Sequence, residues 1–438
     1  MKRYIPSYKY CLLVATLLIT GAACKKDYPD PSGPSSEQAY SSPTALANVA
    51  VGLQAWYARD RVGLLYTTTA SGSLLTGETY VTNPGNTDEA QIATGGNAIL
   101  TTNSVVTGMW AVTNKIRFEA DSVLRRTNII VTDKGFASGL IAYASIFKAL
   151  AIGVQATFWE QVPDISGKPD TVTTDVKFIP GKQGYAMAVT VLDNAINTVT
   201  ATPIGVNFAA NVPKNVNIVN TLYALKARYA LYAGDYATAL AAAGKVDLTV
   251  TSTLDFNAQI TNPIFALATA TNNIFNVVDS SMGLPVGLQP DLSDKRVPFY
   301  IARPAKGPRF NINGFFSGNL VSVPIYLPGE MILIKAECYA RQNNIPAGLI
   351  ELNKVVTQLP SQDPFGVGAA LPPVAAITQD QLLTLIYQHR RIELFMGAQE
   401  LEDSRRFARP VTERKRNYFP YPFVERNDNP NTPLDPAF

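Results

Sequence analysis

The chain has 438 residues, 47% of them hydrophobic and 16% charged, which is ample apolar content for one large core and a charged fraction below the usual quarter. Its single histidine, His389, argues against a His-ligated zinc site or a His-dependent catalytic triad. The formal charge of +3 belongs to the first 23 residues: the 37 Lys and Arg, less Lys2, Arg3 and Lys9, leave 34 against 34 Asp and Glu. Nothing electrostatic therefore favours nucleic acid or an anionic membrane surface.

Residues 1–23 read as an export signal. A basic start is followed by the apolar run Leu12 to Ile19, then by Gly21, Ala22 and Ala23 directly before Cys24. The run is too short for a permanent membrane span. Small residues before a cysteine resemble a bacterial lipoprotein signal, in which Cys24 is acylated, palmitate being one such chain, and becomes the first residue. Cys11 leaves with the signal, so Cys338 is the one remaining thiol and no intramolecular disulfide is expected. Residues 24–42 continue as acylated Cys and a Pro/Ser/Asp/Gly-rich flexible tether.

Residues 43–438 read as one mainly α domain. Ser42-Pro43 opens a helix to about Ala58. Residues 59–102 turn polar and Gly/Thr/Asn-rich, and are expected to be an irregular insertion. Helix returns from about Ser104 to Arg126, with Trp110, Ile116 and Val123 on its buried face. A long apolar helix, Phe136 to Phe158, ends at Trp159-Glu160-Gln161-Val162-Pro163. Residues 250–324 lose regularity again, and a Pro/Ala linker follows at residues 360–376. In the last long helix Thr378 and Gln381 form a capping box, and Arg390 and Glu393 stand three apart, close enough to pair.

Within this domain Asn220 to Val246 carries a repeat signal. Leu222, Leu225, Tyr229 and Tyr232 mark one face of a helix, Gly234-Asp235 breaks it, and an Ala-rich helix follows. Tyr223, Ala227, Gly234-Asp235-Tyr236 and Ala239 match the tetratricopeptide (TPR) pattern. The stretch from Met331 to Val356 echoes it. With Asn343-Asn344-Ile345 laid over Gly234-Asp235-Tyr236, Ala336 falls on Ala227, Gly348 on Ala239 and Val355 on Val246. A weaker copy pairs the Phe136 helix with one through Tyr185, Leu192 and Ala195. The reading is three TPR-like helix pairs, at about 136–200, 220–247 and 330–357, interrupted by insertions at about 59–102 and 250–324.

Six stretches in order are similar to the SusD/RagB family of Bacteroidetes surface lipoproteins. They are Phe158 to Pro163; Gly234-Asp235-Tyr236; Asp294-Lys295-Arg296; Ile334 to Asn353; Arg390-Arg391-Ile392-Glu393-Leu394 through Gly397 to Phe407; and Tyr421-Pro422 with Glu425 and Asn429-Pro430-Asn431. The resemblance implies a non-catalytic receptor, lipid-anchored in the outer membrane and facing outward. It would capture an oligosaccharide and act as lid over a SusC-like TonB-dependent transporter. It implies no cofactor and no metal. A peptide-binding receptor of the same family, a TPR-type protein scaffold, and a glycosidase using two carboxylates are the alternatives.

A neutral sugar offers C–H faces and hydroxyls, so its site stacks rings and adds polar contacts. Tyr66 and Tyr80 in the first insertion, and Phe310, Phe315 and Phe316 in the second, are the candidate ligand platforms. Trp56, Trp110 and Trp159 lie on helical faces and are expected in the core. Arg390, Arg391, Glu393, Asp403, Arg405 and Arg406 read as structural charges that pin the last helix to the scaffold.

Overall fold

The computed structural model describes residues 36–164, 175–271, 273–303, 310–376 and 378–437. The expected signal, Cys24 and most of the tether lie outside the described residues. The molecule is mainly helical, with α1 (Pro43–Ala58), α2 (Leu64–Thr76), α3 (Thr87–Thr94), α4 (Ser104–Ile130), α5 (Lys134–Phe158) and α6 (Gly181–Ala201) in its first half. The second half carries α7 (Ile218–Ala233), α8 (Tyr236–Ala243), α9 (Pro328–Arg341), α10 (Ile345–Val356), α11 (Gln379–Glu393) and α12 (Glu400–Arg406).

Three helix pairs make the scaffold: α5 packs on α6, α7 on α8, and α9 on α10. Helix α7 also packs on α6 and α8 on α9, so the pairs stack, with α4 flanking α5 and α11 flanking α9. The two tight hairpins are built alike. Gly234 and Asn343 both take left-handed backbone, at φ 86° and 59°. Asp235 and Asn344 then cap the next helices by accepting from the Thr238 and Ala347 amides. The aligned Ala227 and Ala336 are fully buried, which allows close approach of the backbones.

Residues 59–102 differ from expectation, since they contain α2 and α3 rather than an uninterrupted loop. The reason is burial: every residue of α2 is buried, so its sequence, LLYTTTASGSLLT, has no polar face and no helical periodicity. Its threonines are housed by bonding backward. The Thr67, Thr68 and Thr76 hydroxyls donate to the carbonyls of Gly63, Leu64 and Gly72. Helix α4 runs four residues past the predicted Arg126.

Residues 250–324 form short antiparallel ladders, with β4 (Thr253–Leu254) on β8 (Val323–Pro324) and β6 (Ile301–Ala302) on β7 (Asn311–Ile312). In the same stretch β5 (Phe275–Val277) reaches back to β1 (Thr79–Val81), pairing Tyr80 with Asn276. The remaining ladder, β2 (Gln161–Pro163) with β3 (Phe178–Pro180), links α5 to α6.

Candidate functional site

The two stretches that interrupt the helix pairs meet the scaffold at a cavity of about 90 Å³. Tyr57 at the end of α1 and Leu65, Thr68 and Thr69 of α2 form one wall. Arg228 of α7 and Glu330 of α9 form the next, Phe315, Phe316 and the Val323–Leu327 run the third, and residues 394–399 the back. Rings dominate: Tyr57, Tyr300, Phe315, Phe316, Tyr326 and Phe395 all line it. They are fixed by one another, with Tyr300 and Phe315 centroids 6.1 Å apart and Tyr300 and Phe395 5.8 Å apart. Threonine, arginine, glutamate and glutamine side chains alternate with these rings, and such a mix of ring faces and convergent polar groups is what a small-molecule site uses.

Arg228 gives the cavity its charge geometry. Nε donates to Glu330 Oε1 at 2.6 Å, and Nη2 to Glu330 Oε2 at 2.7 Å and to the Ile325 carbonyl at 2.9 Å. Such a two-pronged pair fixes the guanidinium plane as well as its charge. Both carboxylate oxygens of Glu330 are thereby engaged.

The back wall is held from behind by buried charge. Glu78 takes both Nε and Nη2 of Arg391 and also the Met396 amide. Arg390 grips Asp403 with Nε and Nη2 at 2.8 and 3.0 Å, and Arg406 bridges Asp403 and Glu337. Arg405 pairs with Glu402 and donates to the Thr157 and Asn417 carbonyls. Arg296 joins Asp294 to Glu393, with His389 Nδ1 2.8 Å from its Nη2. These residues are buried or nearly so. None of the six C-terminal charges lines the cavity. Burial, with Arg296 alongside, drives the His389 pKa well below the usual imidazole value, so the ring is neutral. Cys338 is buried, and burial pushes its thiol up to about 12, which leaves it unreactive.

The five candidate rings separate. Phe315 and Phe316 are buried and line the cavity from within. Tyr66 is a correction: it sits on α2, fully buried, its hydroxyl donating to Glu89 at 2.7 Å, and it presents no face to a ligand. Tyr80 and Phe310 are half-buried and away from the cavity. Tyr80 lies on β1, and Phe310 precedes β7 with the Arg303 guanidinium 5.6 Å from its ring. Residues that sequence reading did not single out are Tyr57, Thr68, Thr69, Arg228, Tyr300, Tyr326 and Gln399. Their assembly depends on contacts more than a hundred residues apart, which no local pattern carries. Trp110 and Trp159 are buried edge to face at 4.8 Å, whereas Trp56 is half-buried and covered by the Arg59 guanidinium at 3.5 Å.

A second, larger groove of about 480 Å³ lies on the helix pairs, between the α6 start, the α7–α8 turn and α12. Tyr236 and Tyr418 on its lining stack against Arg341 and Arg405.

No protein-family model and no curated protein sequence matches the chain. Solved structures do. A SusD homolog from Bacteroides thetaiotaomicron aligns over 91% of this chain and 97% of its own, with TM-score 0.71 and 13% identity. A SusD-like carbohydrate binding protein from Bacteroides vulgatus aligns over 86% of each chain, at TM-score 0.68 and 16% identity. A SusD superfamily protein from Bacteroides fragilis covers 89% of this chain and 98% of its own, at 0.67 and 17%. At such identities the likeness speaks for architecture, and over nearly the full length of both partners: the chain has the SusD-like fold.

Proposed function

We propose that this protein is a non-catalytic, cell-surface nutrient-binding lipoprotein that captures an oligosaccharide and passes it to a SusC-like TonB-dependent transporter, for which it serves as lid. The observation that carries the binding role is the ring-lined cavity where the interrupting stretches close over the helix pairs. Aromatic faces suit the C–H faces of a sugar, and the few polar groups among them suit its hydroxyls. The fold is shared with proteins described as carbohydrate binding and as a putative sugar binding protein. Glycosidases use two carboxylates, whereas among the described residues Glu330 is the single acid on this cavity and both its oxygens are held by Arg228. The tyrosine- and arginine-lined groove on the helix pairs supports a separate protein-contact face for the transporter.

Calorimetric titration of purified protein against an oligosaccharide panel and against peptide digests tests the ligand class. Saturable heat with at least one glycan is expected. Heat with peptides alone would replace the sugar by a peptide nutrient, and glycan turnover would replace the receptor by an enzyme. Gentle detergent extraction of outer membranes is expected to co-purify a large β-barrel; recovery of free monomer alone would remove the transporter from the proposal.

A further inference from the structure

The polar atoms left open in the ring-lined cavity are biased towards donors. Arg228 Nε and Nη2 are committed to Glu330 and Ile325, but Nη1 makes no hydrogen bond among the described residues. Gln399 Oε1 accepts from the Tyr232 hydroxyl at 2.7 Å and from Arg390 Nη2 at 3.2 Å, which fixes the amide so that Nε2 is the free end. The Tyr57 and Thr69 hydroxyls are likewise without a partner among the described residues, and none of the four atoms is among those sealed away from solvent. Two of the four can only donate, and two can donate or accept. The fitting ligand group therefore offers a strong acceptor.

Charge and size narrow that group. Glu330 already balances Arg228, so a ligand carboxylate would place a second negative charge beside a buried one. The cavity of about 90 Å³ holds roughly six to nine waters at the 10–15 Å³ each requires, which is room for a substituent rather than for a chain of sugar rings. Apolar walls favour a substituent that also carries a methyl.

Building on the oligosaccharide-binding reading above, we propose that the cavity takes the acetamido group of an N-acetylated amino sugar. The amide oxygen accepts from Arg228 Nη1 and Gln399 Nε2, the amide N–H donates to the Thr69 or Tyr57 hydroxyl, and the methyl packs on the rings.

The test compares N-acetylglucosamine, N-acetylgalactosamine and N-acetylmannosamine with glucose, galactose, mannose and the corresponding uronic acids, by calorimetry on wild type, Thr69→Val and Tyr57→Phe. At least one acetamido sugar is expected to bind about tenfold tighter than its parent. One of the two variants, the one that removes the hydroxyl accepting the amide N–H, is expected to lose about three- to tenfold of that affinity, the range of one neutral hydrogen bond, and so to narrow the margin over the parent sugar; an unchanged margin in both variants overturns the acetamido placement. Melting curves matching wild type exclude misfolding as the cause. Equal binding of acetamido and parent sugars overturns this inference and leaves the receptor reading standing, as does tightest binding of a uronic acid. Binding of peptides with none of the sugars, or of nothing at all, overturns both.

Discussion

Glu393 is buried with Oε2 on Arg296 Nη1 at 3.0 Å and Oε1 without a hydrogen-bond partner among the described residues. Burial pushes its pKa up, Arg296 pulls it down, Asp363 and Asp294 add to the rise, and the result is about 7. Glu337 is buried too, but Arg406, Arg390 and Arg341 together outweigh its burial and hold it down at about 2. The signs for folding are opposite. The folded state binds the Glu393 proton more tightly than the unfolded chain, so that contribution is complete below about pH 4.5 and is lost as pH rises through 7. It amounts to about 3 kcal/mol. The Glu337 contribution is complete above about pH 4.5 and is lost, on a similar scale of about 3 kcal/mol, as pH falls through 2. Glu393→Gln, a neutral isostere, is therefore expected to flatten the fall in melting temperature between pH 5 and 8, while Glu337→Gln flattens the fall below pH 4.5. Melting curves from pH 2 to 9 read both, and an unchanged slope in either variant would show that the group does not titrate as described. Glu393→Ala is expected to lower the melting temperature throughout while the folded fraction keeps its ligand affinity, because the side chain holds the wall of the cavity from behind and does not line it.

At the scale of the element, the α7–α8 and α9–α10 hairpins solve one problem with different residues. A left-handed residue must end the first helix: Gly234 does this without a Cβ, and Asn343 does it with a side chain tolerated there. Gly234→Val is thus expected to cost on the order of 1–2 kcal/mol in urea unfolding, whereas Asn343→Gly is expected to change little. A Gly234→Val protein as stable as wild type would refute the turn geometry. These hairpins were legible because their information is local: two faces at helical spacing, a breaker and a cap. Helix α2 was not legible, because a helix buried on all sides needs no polar face and its threonines look like loop. Tyr66 was misplaced for the same reason. The cavity was half legible. Phe315 and Phe316 stood out as rings in an irregular stretch, but Tyr57, Thr69, Arg228 and Gln399 look like ordinary helix-face or turn residues until long-range contacts collect them.

On the scale of the molecule, the apolar segment that builds the core is separate from the anchor proposed for the membrane. Among the described residues one helix, α5, is long and apolar enough to cross a membrane, but 89% of its most apolar window is buried inside the fold. It packs on α4 and α6 and supplies the central layer of the scaffold, so withdrawing it into lipid would dismantle the core. The proposed membrane attachment rests instead on acylation of Cys24, where each buried methylene would contribute about 0.8 kcal/mol and two or more chains would give stable anchoring. Because the cavity is lined by residues 57–399, none of them near Cys24 in sequence, the proposed attachment should be separable from binding. Cys24→Ser is expected to abolish incorporation of labelled palmitate and to move the protein from the membrane to the soluble fraction, with glycan affinity and melting temperature unchanged. Retention of Cys24→Ser in washed membranes lacking the transporter would mean that the folded body itself holds the bilayer, and the lipid anchor would have to be given up.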